Sequence, residues 1–217
     1  MSCQVRMPAL AQLVFIVVAA ATVHGFVRTG IDAERRNACG TLCALKPDYA
    51  ARNRLAPDFQ LPTVRGDTFR LTEHRGMVVI LSFWTKTCRP CLEEMPSLVD
   101  LGRMLSDRGD VQLVTISTDE SAEDVTTTLR SIGITDPPFE VLVDPDAAVV
   151  TGKFGTKLFP ETWFIDPDGI VRARFDGARD WGQALPARLA ESLAGPSSCS
   201  IEFVRGTPRG DHGYVCE

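Results

Sequence analysis

The hydrophobic positions of this chain fall into one long unbroken run followed by shorter, patterned ones. From Pro8 to Val23 nearly every residue is apolar, with Gln12 as the break. Such a segment fits a signal-peptide core better than a membrane span, which needs roughly twenty residues. Ala19-Ala20-Ala21 supplies the small residues of a cleavage site, yet reading on to Val27 reaches the length of a tilted span. Residues 1–27 are therefore a signal peptide or a membrane anchor. Arg28, Arg35 and Arg36 follow it and weaken the charge argument for either orientation. Residues 28–56 are polar and mixed and read as a linker or short helix carrying Cys39 and Cys43.

Patterned segments begin after that. Phe59–Val64 and Thr68–Leu71 flank Arg65-Gly66-Asp67 as a short hairpin. Met77–Trp84 is a buried strand. In Leu92–Leu105, Met95, Leu98, Val99, Leu101, Met104 and Leu105 recur at helical spacing. Pro90 falls in the first turn, where its missing N–H is harmless, and Pro96 falls inside, where a kink is expected. Val111–Ile116 is a second buried strand, and Ser121–Ile132 a helix with Glu123 and Asp124 suiting its dipole. Phe139–Val143 is a short strand. Glu161–Ile165 and Ile170–Phe175 flank Asp166-Pro167-Asp168-Gly169, a hairpin signal. Trp181–Leu193 is the last amphipathic helix, and a tail, 195–217, carries Cys199 and Cys216. The order predicts a three-layer α/β domain with a mixed sheet over 57–194.

At 217 residues there is room for one domain with extensions or two small ones. Hydrophobic residues at 44% and charged residues at 24% are globular values. A net charge of −5 offers no basic surface and argues against nucleic acid as a partner. Of the 7 cysteines, Cys3 precedes the apolar run. The other six form an even set, as expected where disulfides persist. Local spacing pairs Cys39 with Cys43, Cys88 with Cys91, and Cys199 with Cys216; the competing arrangement ties the two ends of the chain together. The four outer cysteines are read as structural either way.

Cys88-Arg89-Pro90-Cys91 joins the strand at 77–84 to the helix after it. A helix N-terminus stabilises a thiolate, so Cys88 is the nucleophile and Cys91 resolves the mixed disulfide. Zinc would need further ligands, and neither a second such pair nor a histidine pair lies nearby; the histidines are His24, His74 and His212. No metal and no added cofactor are expected. Glu94, one turn beyond Cys91, is placed to take the proton of the buried thiol, whereas Glu93 should face solvent. Lys86 and Arg89 read as solvated charges beside the pair.

These residues together resemble the exported thioredoxin-like thiol–disulfide oxidoreductases of bacteria, the group of TlpA, ResA and the cytochrome c maturation thioredoxins. The pieces are Ala56-Pro57-Asp58-Phe59, Phe83-Trp84 with Cys88-Arg89-Pro90-Cys91, Glu94-Met95-Pro96, Phe159-Pro160-Glu161-Thr162, and Ile165-Asp166-Pro167-Asp168-Gly169 leading to Gly177-Ala178-Arg179-Asp180-Trp181. The resemblance implies a thioredoxin fold with Pro160 in a cis peptide facing the cysteine pair, and the Phe159 backbone ready to pair with a client chain. Trp84, Thr87, Arg89, Pro90, Phe159 and Glu161 would then surround the client. It further implies a location in the periplasm or on the outer face of the cytoplasmic membrane. The expected partners are a client protein with a disulfide and a membrane electron donor, in cytochrome c maturation or copper-site assembly. Thr87 departs from the group, which usually has an aromatic residue before the first cysteine. Two rival readings are a peroxiredoxin, on Thr85-Lys86-Thr87-Cys88 but with Ser82 where that family has proline, and a copper chaperone of the same fold.

Overall fold

The computed structural model describes residues 8–48, 54–195, 199, 201–209 and 216; Cys3 and His212 lie outside these. The first element, α1, is one helix of 37 residues, Ala9–Leu45. Its segment Ala9–Gly30 has a mean hydropathy of 2.1, is exposed, and is long and apolar enough to cross a membrane. The segment read as a linker or short helix from residue 28 is thus helical as far as Leu45, because Cys39 and Leu42, three residues apart on one face, are buried against the rest of the chain. Lys46 then takes a left-handed backbone and Pro47 follows, which stops the helix.

The disulfides correct the local pairing. Cys39 is bonded to Cys199 and Cys43 to Cys216, so the two ends of the chain are tied together. On a helix, residues four apart stack with parallel side chains, a poor geometry for closing a bond between them. Each instead meets a cysteine of the tail.

The domain follows in the expected order. β1 (Gln60–Pro62) and β2 (Thr68–Arg70) form the hairpin. Next come β3 (Val78–Trp84), α2 (Arg89–Leu105, continuing through Pro96), β4 (Val111–Ser117), α3 (Ala122–Ser131) and β5 (Glu140–Val143). A wide helical turn at Ala148–Lys153 precedes β6 (Glu161–Ile165), β7 (Val171–Asp176) and α4 (Ala184–Ala194). The tail adds a hairpin that the sequence pattern did not announce, β8 (Glu202–Val204) and β9 (Thr207–Arg209).

Five strands make one mixed sheet in the order β5-β4-β3-β6-β7, with β3, β4 and β5 parallel and β6 and β7 antiparallel to their neighbours. Every residue of central β3 is buried, as a strand covered on both faces requires. Val78, Ile80 and Trp84 join the core layer that contains Met95, Leu98 and Leu189 of α2 and α4, with Leu42 of α1. Val79, Leu81 and Phe83 join the other, with Phe59, Phe69, Phe154 and Trp163. α1 packs on α4, so the extension lies on the first of these layers. Gly169, at φ 76°, closes the Asp166–Gly169 turn with its N–H on Asp166 O at 2.8 Å.

Candidate active site

Cys88 caps α2 and Cys91 lies in its first turn, and their sulfurs are bonded to each other. The Cys91 N–H donates to the Cys88 sulfur at 3.2 Å, so the helix terminus points one of its free donors at that atom. Cys88 is half-buried and Cys91 fully buried. Exposure and the helix-terminus donor therefore both distinguish the Cys88 sulfur from that of Cys91.

The loop between β3 and α2 is held by a residue that sequence reasoning missed. Buried Asp119 accepts from Thr85 Oγ1 at 2.8 Å, from Lys86 N–H at 2.8 Å and from Ser117 Oγ at 2.7 Å. Parallel pairing of β3 with β4 brings the residues after Ser117 to the same sheet end as those after Trp84. An Asp two residues past a buried strand was the available signal. Lys86 Nζ sits 2.6 Å from Glu120 and 3.3 Å from Asp124; chiefly the Glu120 hydrogen bond raises its pKa. Its charge is directed to these carboxylates. Arg89 is exposed and pairs with exposed Glu93 at 2.8 Å, while Thr87 and Pro90 are exposed at the rim.

Glu94 is only 5% exposed. Its Oε2 accepts from the Arg179 N–H at 2.9 Å and from the Trp181 indole N–H at 3.2 Å. Burial pushes its carboxyl up to about 7, against the pull of those two donors and of the Arg179 charge. One turn on, Ser97 Oγ donates to Glu94 O at 2.7 Å and accepts from the Trp181 N–H at 3.0 Å. Glu93, Glu94, Ser97, Asp100, Arg179 and Asp180 line a groove of about 450 Å³. The roles of Arg179 and Trp181 were not legible beforehand, although both lie in a segment that carries the family resemblance.

The Phe159–Pro160 peptide is cis. Phe83 pairs with Glu161, so Pro160 comes level with Trp84 at the sheet end from which the cysteine loop departs. Phe159 is half-buried, and its neighbour Leu158 is 82% exposed. Two residues read as client contacts prove to be interior. Trp84, 1% exposed, lies on the β3 face beneath α2. Glu161 sits on the opposite core layer's side, where it accepts from Trp163 Nε1 at 2.6 Å and from Thr156 Oγ1, and burial raises its pKa.

The AhpC/TSA family model matches residues 53–174. The chain is 32% identical over 122 residues to the thiol-disulfide oxidoreductase ResA of Geobacillus thermodenitrificans, covering 56% of this chain and 67% of that protein. It is 30% identical over 118 residues to the thioredoxin-like protein YneN of Bacillus subtilis, covering 54% and 66%. The match thus spans about two thirds of the length of these relatives. A thioredoxin-family thiol:disulfide interchange protein of Chlorobium tepidum superposes with a TM-score of 0.55 at 26% identity, over 67% of this chain and 99% of that one. The exposed lipoprotein thioredoxin Etrx1 of Streptococcus pneumoniae gives 0.50 at 26% identity, over 61% and 98%. By its matched sequence, its sheet order and its cysteine pair, the chain belongs to the AhpC/TSA family, among the thioredoxin-like thiol–disulfide oxidoreductases.

Proposed function

We propose that the enzyme is held at the outer face of the cytoplasmic membrane by α1 and reduces disulfides of client proteins through Cys88 and Cys91. The observation that carries this is the asymmetry of the pair: a reachable sulfur at the helix terminus, a buried one behind it, and a buried carboxyl one turn further. In the reduced enzyme the Cys88 thiolate attacks a client cystine. That S–S bond breaks, a Cys88–client bond forms, and the displaced client sulfur takes a proton. Cys91 next attacks the Cys88 sulfur, giving its proton to Glu94; the Cys88–client bond breaks, and the second client sulfur leaves as a thiolate that takes a proton from solvent. The enzyme is left with the Cys88–Cys91 disulfide; two electrons have passed to the client, and a donor in the membrane restores the dithiol. A carboxyl titrating at about 7 can take and return a proton near neutrality.

No added cofactor enters this scheme. The Phe159 backbone beside Pro160 offers the client an edge to pair with, and exposed Thr87 and Pro90 border the sulfur. The exported location is supported by the apolar segment of α1, by two disulfides between the extensions, and by the exposed lipoprotein character in the name of one structural relative. Apocytochrome c cysteines are the leading client class and a copper-site protein the next, on the resemblance in the sequence.

The reduction potential of Cys88–Cys91 tests the direction. A value below about −200 mV is expected of a reductant, and one near −120 mV contradicts it. The peroxidase reading fares worse, because the Thr85 hydroxyl donates to Asp119 and is committed there. Stopped-flow mixing with hydrogen peroxide is expected to oxidise Cys88 slowly. Titration with Cu(I) is expected to show no tight stoichiometric site.

A further inference from the structure

Asp48 lies outside the stretch matched by the family model, just past the end of α1. Its backbone is fixed from two sides. Its N–H donates to Arg174 O at 2.8 Å, and its carbonyl accepts from the Arg205 N–H of the tail turn at 3.3 Å. Pro47 O accepts from the Gly206 N–H at 3.2 Å, and the helix just before carries both cystines to the tail. The carboxylate is thus anchored on the extension. What it grips belongs to the active site.

Asp48 Oδ2 accepts from the N–H of Asp176, the last residue of β7, at 3.2 Å and from the Arg179 guanidinium at 3.3 Å. That guanidinium also lies over the Phe175 ring, 4.9 Å from its centroid. One carboxylate oxygen therefore holds both ends of the turn Asp176–Arg179. The N–H of Arg179 is the donor that reaches Glu94 at 2.9 Å.

We propose that Asp48 is a positioning residue for the Cys88–Cys91 reaction: by fixing this turn it keeps the Arg179 N–H aimed at Glu94, so that the extension sets the pH at which Glu94 exchanges its proton. The proposal rests on the reading of Glu94 as the proton acceptor for Cys91. The charged groups around Glu94 are few. On α2, Glu93 pairs with Arg89, and Asp100, which lines the same groove, pairs with Arg103. From the turn come Arg179 and Asp180, whose carboxylate holds Gly182 N–H and the Gln183 amide. Behind it stand Asp48 and Asp176, the latter bound by Arg174.

Removing the Asp48 carboxylate has two opposed effects on Glu94. A released guanidinium adds a positive charge, which lowers the pKa. A loosened turn loses a hydrogen bond to the carboxylate, which raises it. The guanidinium is a third exposed and screened by solvent, whereas the N–H bond, at 2.9 Å and part-buried, ends on a buried carboxylate. The loss prevails, and the Glu94 pKa rises.

The test is a carbon-13 NMR titration of the glutamate carboxyls in the full-length oxidised protein, where the Cys88–Cys91 thiols do not titrate. It is paired with the pH profile of single-turnover client reduction. Asp48→Ala is expected to move both midpoints up by about one pH unit, and Asp48→Glu to restore most of the shift. Asp48→Asn keeps an acceptor for the Asp176 N–H and is expected to move them the same way by less, which serves where the alanine chain does not fold. Unmoved midpoints in Asp48→Ala and Asp48→Asn overturn the proposal. Glu94→Gln separates it from the reading beneath: a rate profile unchanged by that substitution overturns the proton-acceptor role and the kinetic claim with it. A profile that Glu94→Gln flattens, beside an unmoved Asp48→Ala titration, overturns the positioning role alone.

Discussion

Glu94 carries the sharpest consequences at the scale of single residues. Its carboxyl is raised from 4.5 to about 7, with burial as the main cause. The folded state therefore holds this proton more tightly than the unfolded chain. Its contribution is neutral below the unfolded value, turns unfavourable as pH rises from about 4.5, and levels off above about 7 at a cost of about 3 kcal/mol. Glu94→Gln should flatten this part of the pH dependence, so thermal melts at pH 5 and pH 8 lie closer together than in the parent. Buried Glu161 and Asp144, raised the same way by desolvation, supply slope that remains. Leu158, exposed beside the cis-proline, presents an apolar side chain next to the pair. Leu158→Ser should raise KM for a protein substrate several-fold while leaving the reduction potential of the pair unchanged.

Among the elements, the loop joining β3 to α2 depends on Asp119. Asp119→Ala leaves the Thr85 hydroxyl and the Lys86 N–H without their acceptor, and should destabilise the fold by about 1–3 kcal/mol in urea melts. The same change should slow client reduction, since this loop leads to Cys88. Much of the fold could be read from the chain because its signals are local. A continuous apolar run gave β3, a three-and-four stripe gave α2, and Asp-Pro-Asp-Gly gave the β6–β7 turn. The cysteine pair and Glu94 were legible for the same reason, since one helical turn fixes their spacing. Asp119, Arg179 and Trp181 were not, because strand pairing and a long-range loop contact bring them in. Trp84 and Glu161 show the converse error: a place in a segment that carries the resemblance does not put a side chain on the surface.

For the whole molecule, the extension and the tail form one clamp on the thioredoxin domain, and their local composition concealed it. Residues 28–45 look like a polar linker until Cys39 and Leu42 are seen packed against the domain that α4 belongs to. Two cystines close loops of 160 and 173 residues in sequence. Chain-entropy reasoning gives each, taken alone, on the order of 5 kcal/mol. The double variant Cys43→Ser, Cys216→Ser should lower the melting temperature by several degrees while the Cys88–Cys91 disulfide still forms. A melting temperature equal to the parent's would mean that packing, not the bond, holds the extension down.

All of this depends on sulfur exchange at Cys88, and trapping tests it most directly. The reduced Cys91→Ser enzyme, mixed with a disulfide-bearing client, should accumulate a covalent complex that mass spectrometry maps to Cys88 and that dithiothreitol releases. Failure to form that complex, or a linkage mapped to one of the four clamp cysteines, would contradict the account.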